Sequence, residues 1–182
     1  MASQQLVKSP AAREPATVAA PRQYLTFSLG QELFAMPIAP IREIIEFNGL
    51  TQIPLTPDFL RGVINLRGAV VPVIDLSVRF GRAETQIGRR TCVVIVEVAL
   101  DEGLYPLGVI VNSVSEVLDV EPGSIESRPG FGAGLRSDFV GGMLNINSRF
   151  VVVLDMNSVL SVGELEQLVG AAQASAMRAG LN

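Results

Sequence analysis

Gly62-Val-Ile-Asn-Leu-Arg-Gly-Ala-Val-Val-Pro-Val-Ile-Asp-Leu76 is repeated without a gap, at a constant offset of 80, as Gly142-Met-Leu-Asn-Ile-Asn-Ser-Arg-Phe-Val-Val-Val-Leu-Asp-Met156. Val71/Val151 and Val73/Val153 are identical, and so are Gly62/Gly142, Asn65/Asn145 and Asp75/Asp155. Apolar bias alone would pair valines, but not glycine, asparagine and aspartate. Two apolar runs flank Arg67-Gly68, a hairpin signal because glycine accepts the positive φ that tight hairpin turns require. The second copy carries Asn147-Ser148 at that tip. Upstream, Ile41-Arg-Glu-Ile-Ile-Glu46 lines up with Val114-Ser-Glu-Val-Leu-Asp119, so the duplicated unit is larger than one hairpin. Short strands with frequent turns, twice over, predict an all-β chain of two small barrels sharing one core or interface. A barrel of roughly 60–70 residues would be only marginally stable alone.

Outward from the repeat, Tyr24–Leu29 and Leu33–Met36 read as an opening hairpin around Gly30-Gln31-Glu32. Ile41–Glu46 fits either a short helix with Pro40 in its first turn or an extended β-branched segment. Thr56–Leu60 reads as a brief helical turn, and Pro72, lacking an amide donor, places its strand at an edge or a bulge. Thr91–Val98, Leu107–Val111 and Val114–Val120 read as strands, and Val162–Met177 as the one convincing helix. Residues 1–22, rich in Ala, Pro, Ser and Gln, read as a disordered tail. The folded domain is expected over 23–165, with a C-terminal helix and tail over 166–182.

Composition excludes several function classes. The 182 residues include no histidine, which removes Ser-His-Asp and Cys-His catalysis and imidazole metal ligation. The single cysteine, Cys92, allows no intrachain disulfide or multi-cysteine zinc site, and its apolar setting predicts a buried, inert thiol. A net charge of −4, with Lys8 the only lysine, argues against binding a phosphate backbone. No apolar run reaches the roughly 18 residues of a membrane span, and no signal peptide is evident, so a cytoplasmic protein is expected. Apolar residues make up 48% of the chain and charged residues only 18%, so part of the surface is expected to meet partners.

Arg67, at a hairpin tip, is expected to point into solvent or to reach a carboxylate on the other subdomain; its absence from the second tip gives the two tips different jobs. Glu43 has Arg42, Arg61 and Arg67 as candidate partners. Asp75 and Asp155, ending equivalent strands, read as caps of the next turn or helix rather than a catalytic pair. The glycines at 130, 132 and 134 around Phe131 lack a nucleotide-binding pattern, leaving Phe131 as a core plug or an anchor for a partner. With no constellation suited to chemistry, the expected function is a non-enzymatic interaction module. The alternative is a small ligand- or oligonucleotide-binding barrel, which here would lack tryptophan platforms and a basic groove.

The run Phe59-Leu-Arg-Gly-Val-Ile-Asn-Leu-Arg-Gly-Ala-Val-Val-Pro-Val-Ile-Asp-Leu76 closely resembles the signature of the CheW family, the bacterial chemotaxis coupling proteins. Tyr24-Leu-Thr-Phe-Ser-Leu-Gly30, Ser115-Glu-Val-Leu118 and Pro129-Gly-Phe131 extend the resemblance over roughly residues 22–165. It implies two five-stranded SH3-like barrels and an adaptor, without cofactor, joining chemoreceptor cytoplasmic hairpin tips to the regulatory domain of a CheA-type histidine kinase. It places Arg67 and Glu43 in receptor and kinase coupling. Ile38, Ile41, Val111 and Val114 would line an apolar receptor groove, and Arg61, Gly62 and Phe131 would face the kinase. Glu126 and Gly130 depart from the family pattern, the first where a basic residue is common and the second where an acidic one is. The family's pathways differ in output, flagella and twitching pili among them.

Overall fold

The structure is a computed structural model that describes residues 22–101, 103–127 and 137–178. The expected tail up to residue 21 and the loop holding Phe131 and its neighbouring glycines therefore lie outside the described residues. The chain opens with β1 (Arg22–Leu29) and β2 (Glu32–Pro37), the expected hairpin, followed by β3 (Ile41–Glu46). The ambiguity at Ile41–Glu46 resolves to strand because its edge pairs antiparallel with β6 (Cys92–Leu100), which a helix would leave unpaired. Thr56–Leu60 holds a single turn, the Leu60 N–H donating to the Pro57 carbonyl at 3.0 Å. The repeated hairpin follows as β4 (Leu60–Leu66) and β5 (Ala69–Asp75), capped by the one-turn helix α1 (Leu76–Arg79).

β6 and β7 (Gly103–Val111) form a second long hairpin, and β8 (Ser113–Val120) leads to the second copy of the repeat, β9 (Val140–Ile146) and β10 (Arg149–Leu154). One-turn helix α2 (Met156–Val159) and helix α3 (Val162–Arg178) complete the chain. The strands form two five-stranded sheets, ordered β8-β1-β2-β10-β9 and β3-β6-β7-β5-β4. Under the repeat the orders coincide: β3 corresponds to β8, the β6–β7 hairpin to the β1–β2 hairpin, and β5-β4 to β10-β9. The duplication is thus interleaved. Each sheet takes its opening hairpin from one half of the chain and its remaining three strands from the other. Equivalent parallel contacts, β5 on β7 and β10 on β2, join the parts.

Strand alternation divides the apolar runs between two environments. Val71, Val73, Val93, Ile95 and Ile110 fill the interior of one barrel, while Tyr24, Ala35, Leu144, Val151 and Val153 fill the other. Their neighbours Val94, Val96, Val109, Phe27 and Phe34 pack into a central core between the barrels. Both faces of these strands are buried, so the sequence reads as continuous apolar runs rather than as alternation. Pro72 lies in an internal strand, contrary to expectation. Pairing of β5 with β7 begins at Val73, however, so at Pro72 the strand has only β4 beside it.

α3 buries Leu165, Leu168 and Ala172, spaced for one helical face. It begins with a capping box: Ser161 Oγ accepts from the Glu164 N–H at 3.1 Å and Glu164 Oε2 accepts from the Ser161 N–H at 2.7 Å. Cys92 is half-buried rather than fully buried; burial, reinforced by the Glu46 charge and opposed by a backbone hydrogen bond at Val114, pushes its thiol pKa up.

Candidate protein-interaction site

The two hairpin tips have the same backbone. Arg67 and Gly68 take φ of 52° and 86°, Asn147 and Ser148 take 49° and 64°, and in each tip two successive positive values make a turn that follows the twist of the strands. The Gly68 N–H donates to Asn65 Oδ1 at 3.0 Å, which gives the asparagine of the first copy its purpose. This rigid tip delivers the Arg67 guanidinium to Glu43, with Nη2 to Oε2 at 2.9 Å. Of the two expected courses Arg67 takes the solvent-facing one, and the carboxylate it meets, Glu43, belongs to β3 of the same barrel rather than to the other subdomain. The tip between β4 and β5 thus reaches across to β3, at the other end of the strand order of the same sheet.

The other two candidate partners of Glu43 are engaged elsewhere. Arg42, the first alternative, pairs with Glu97, and Arg61 is bound at 2.9 Å by Asp75. The Arg67 side chain remains 79% exposed and Glu43 24%. An ion pair so open to water contributes only about 0–1 kcal/mol to stability. It orients the guanidinium fork far more than it holds the fold.

Asp75 is completely buried and does more than cap α1. It accepts from the Ser77 N–H at 3.0 Å, from the Thr85 N–H and hydroxyl at 2.8 Å each, and from Arg61. Four donors satisfy a charge that would otherwise be costly to bury. Arg61 also lies 3.6 Å from the exposed Glu84 and keeps only 18% of its side chain open. Its neighbour Gly62 is buried beneath Thr51: a Cβ there would stand 2.4 Å from the Thr51 carbonyl oxygen. The close approach lets Thr51 and Val63 exchange backbone hydrogen bonds at 3.0 and 2.8 Å. Gly142 plays the same part for Glu126 and Met143, which explains why both copies hold glycine.

Of the expected groove residues, Ile41 and Val114 are half-buried against the central core and Ile38 is half-buried beside a cleft shared with Arg22, Pro37 and Asp119. Val111 is a correction. Fully buried, it offers no surface to a partner and belongs to the central core against which Ile41 and Val114 pack.

Sequence reading missed Arg79. Its guanidinium sits over the rings of Phe59 and Phe139, at 4.9 and 5.2 Å, and binds the Val159 carbonyl at 2.8 Å and Glu164 at 2.9 Å. Phe59 and Phe139 stand 80 residues apart, so continuing the repeat upstream would have marked both rings, although Arg79 falls opposite Val159 and is not matched. Arg79 ties both copies to α3 at the junction between the barrels.

A family model described as CheW-like domain matches residues 23–164. The chemotaxis protein CheW of Klebsiella aerogenes is 33% identical over 144 residues, covering 79% of this chain and 84% of that protein. A probable chemotaxis protein CheW of Rhizobium etli is 31% identical, covering 80% of this chain and 91% of that one. Among solved structures, the scaffolding protein TtCheW of Thermoanaerobacter tengcongensis matches with a TM-score of 0.70 and 31% identity, over 79% of this chain and 95% of that one. The signature hairpin, the paired five-stranded sheets and this likeness in both sequence and fold lead to one conclusion: the chain belongs to the CheW family of chemotaxis scaffolding proteins.

Proposed function

We propose that this protein is a non-enzymatic coupling protein that bridges the cytoplasmic hairpin tips of chemoreceptors to the regulatory domain of a CheA-type histidine kinase. It relays receptor control of kinase activity, in the cytoplasm at receptor arrays, with no cofactor and no insertion into the bilayer. The observation that carries this reading is Arg67, presented on an exposed rigid tip and oriented by Glu43, where the matching tip of the other barrel has no arginine. A fork of donors held in one orientation suits recognition of a partner's carboxylate or carbonyl groups. In this reading Ile38, Ile41 and Val114 meet the receptor hairpin, while Arg61 and Phe131 belong to the kinase-facing side, where the buried Gly62 serves only to seat the Thr51 backbone against β4. Among the described residues no helix is long and apolar enough to cross a membrane.

Such a protein transmits a signal only through differential binding. If receptor and kinase favour different arrangements of the two barrels, their coupling is bounded by that difference, typically about 1–3 kcal/mol. Calorimetric titration against the kinase regulatory domain and, separately, a receptor hairpin tests the reading. Wild type should bind both with micromolar affinity. Arg67→Ala should keep its circular dichroism spectrum and lose receptor control of the kinase in a reconstituted array. Failure of well-folded wild type to bind either partner would overturn the coupling role, and unfolding of Arg67→Ala would make Arg67 structural.

A further inference from the structure

Phe59 and Phe139 immediately precede β4 and β9, equivalent strands of the two barrels, and the Arg79 guanidinium lies over both rings, at 4.9 and 5.2 Å. Arg79 closes α1, which follows β5 of one barrel. Its Nε–H donates at 2.8 Å to the carbonyl of Val159, which closes α2 after β10 of the other barrel. Val159 falls opposite Arg79 under the offset of 80, so this bond joins equivalent points of the two barrels. One arginine therefore stands at the junction where the two copies of the repeat face each other.

Apolar burial holds the barrels together but is non-directional, and it defines the angle between them less sharply than hydrogen bonds do. Arg79 supplies the directional contacts, and with only 13% of its side chain open its charge-assisted bonds are shielded from water. Its Nη2 donates at 2.9 Å to Glu164 Oε2, the same oxygen that accepts from the Ser161 N–H where α3 begins. α3 continues the chain from β10 and α2 of one barrel and packs on β5 of the other, with Leu165 and Leu168 in the central core. Start of the helix and fixing of the arginine thus share one atom. Three positions on, Arg82 donates at 2.6 Å to Glu32 on the opening hairpin of the opposite barrel, but that pair is more open to water and counts for less.

We propose that Arg79 is a positioning residue that locks the two barrels at one relative orientation, and that α3 holds the lock shut through Glu164. The lock is a property of this chain alone and does not depend on the coupling role. Distances between spin labels at Ala69→Cys and Arg149→Cys, exposed and equivalent positions at the starts of β5 and β10, read that orientation in the full chain with Cys92→Ser throughout. With Arg79 and Glu164 in place the distance distribution should be single and narrow. Arg79→Gln should about double its width, as a second arrangement of the barrels becomes populated, and should keep the circular dichroism spectrum. Glu164→Gln, which leaves the Val159 bond and both rings, should broaden it less. Equal widths in all three would overturn the lock, and so would broadening that comes with loss of cooperative thermal unfolding, which would make Arg79 structural. If Arg79→Gln did not fold, Glu164→Gln would decide alone, an unchanged width again overturning the lock. No partner enters the measurement, so its failure would leave the coupling role standing.

Discussion

One methyl group separates Gly62 from alanine, and the structure has no room for it. The added carbon would meet a backbone carbonyl at 2.4 Å, and φ at 152° disfavours a side chain as well. At Gly142 the first obstacle is the Ile125 side chain, whose Cγ2 atom can turn aside, although the Glu126 carbonyl follows at 3.0 Å. Gly62→Ala should therefore cost about 2–3 kcal/mol of stability and Gly142→Ala less, since crowding in a packed site typically costs about 1–3 kcal/mol. Urea unfolding of the two variants checks this, and equal losses would show that Thr51 moves as easily as Ile125. Gly62 was legible in the sequence as an identity between the copies. The reason for it was not, because the crossing segment, Thr51 in one copy and Glu126 in the other, lies at a different distance upstream in each. Arg67 is the converse case. Its difference from Asn147 could be read directly, but its partner Glu43 was one of several candidate pairings until Arg42 and Arg61 were seen to be engaged elsewhere.

Among the elements, α3 depends most on charge. Burial penalises the Glu164 carboxylate, but the Ser161 N–H, the Arg79 guanidinium and the Ser161 hydroxyl outweigh it and hold its pKa below the ordinary 4.5. A carboxyl depressed in the folded state stabilises the fold fully above its unfolded value and loses that contribution as pH falls through its folded value. Docking of α3 should therefore weaken on acidification below about pH 4.5. Thermal unfolding of wild type and Glu164→Gln between about pH 6 and about pH 3 should show a shallower acid slope for the variant. Parallel slopes would exclude Glu164 as the source. The length and start of this helix were readable from composition. Its docking was not, because Leu165, Leu168 and Ala172 pack against strands far back in the chain, β5 above all, and Glu164 pairs with Arg79, 85 residues away.

The interleaved repeat sets the behaviour of the whole molecule. A cut in the loop between α1 and β6 leaves each fragment with one barrel's opening hairpin and three strands of the other barrel, and neither fragment can close a sheet alone. The two fragments should be unfolded separately and should recover the native circular dichroism spectrum when mixed, eluting as one species on gel filtration. Cooperative unfolding by either fragment on its own would contradict the shared core.

The sequence by itself determined the hairpins, the duplication, the capping role of Asp75 and Asp155, the C-terminal helix and the family, because each is written in residues close together or in register with a copy of themselves. Tertiary structure alone decided that β3 and β8 cross to the opposite barrel, that Val111 is core rather than surface, and that Arg67 finds its carboxylate within its own barrel. Those outcomes depend on which apolar face meets which across long stretches of chain. With both faces of the central strands apolar, pattern cannot distinguish barrel interior from the core between barrels; only the pairing of distant strands does.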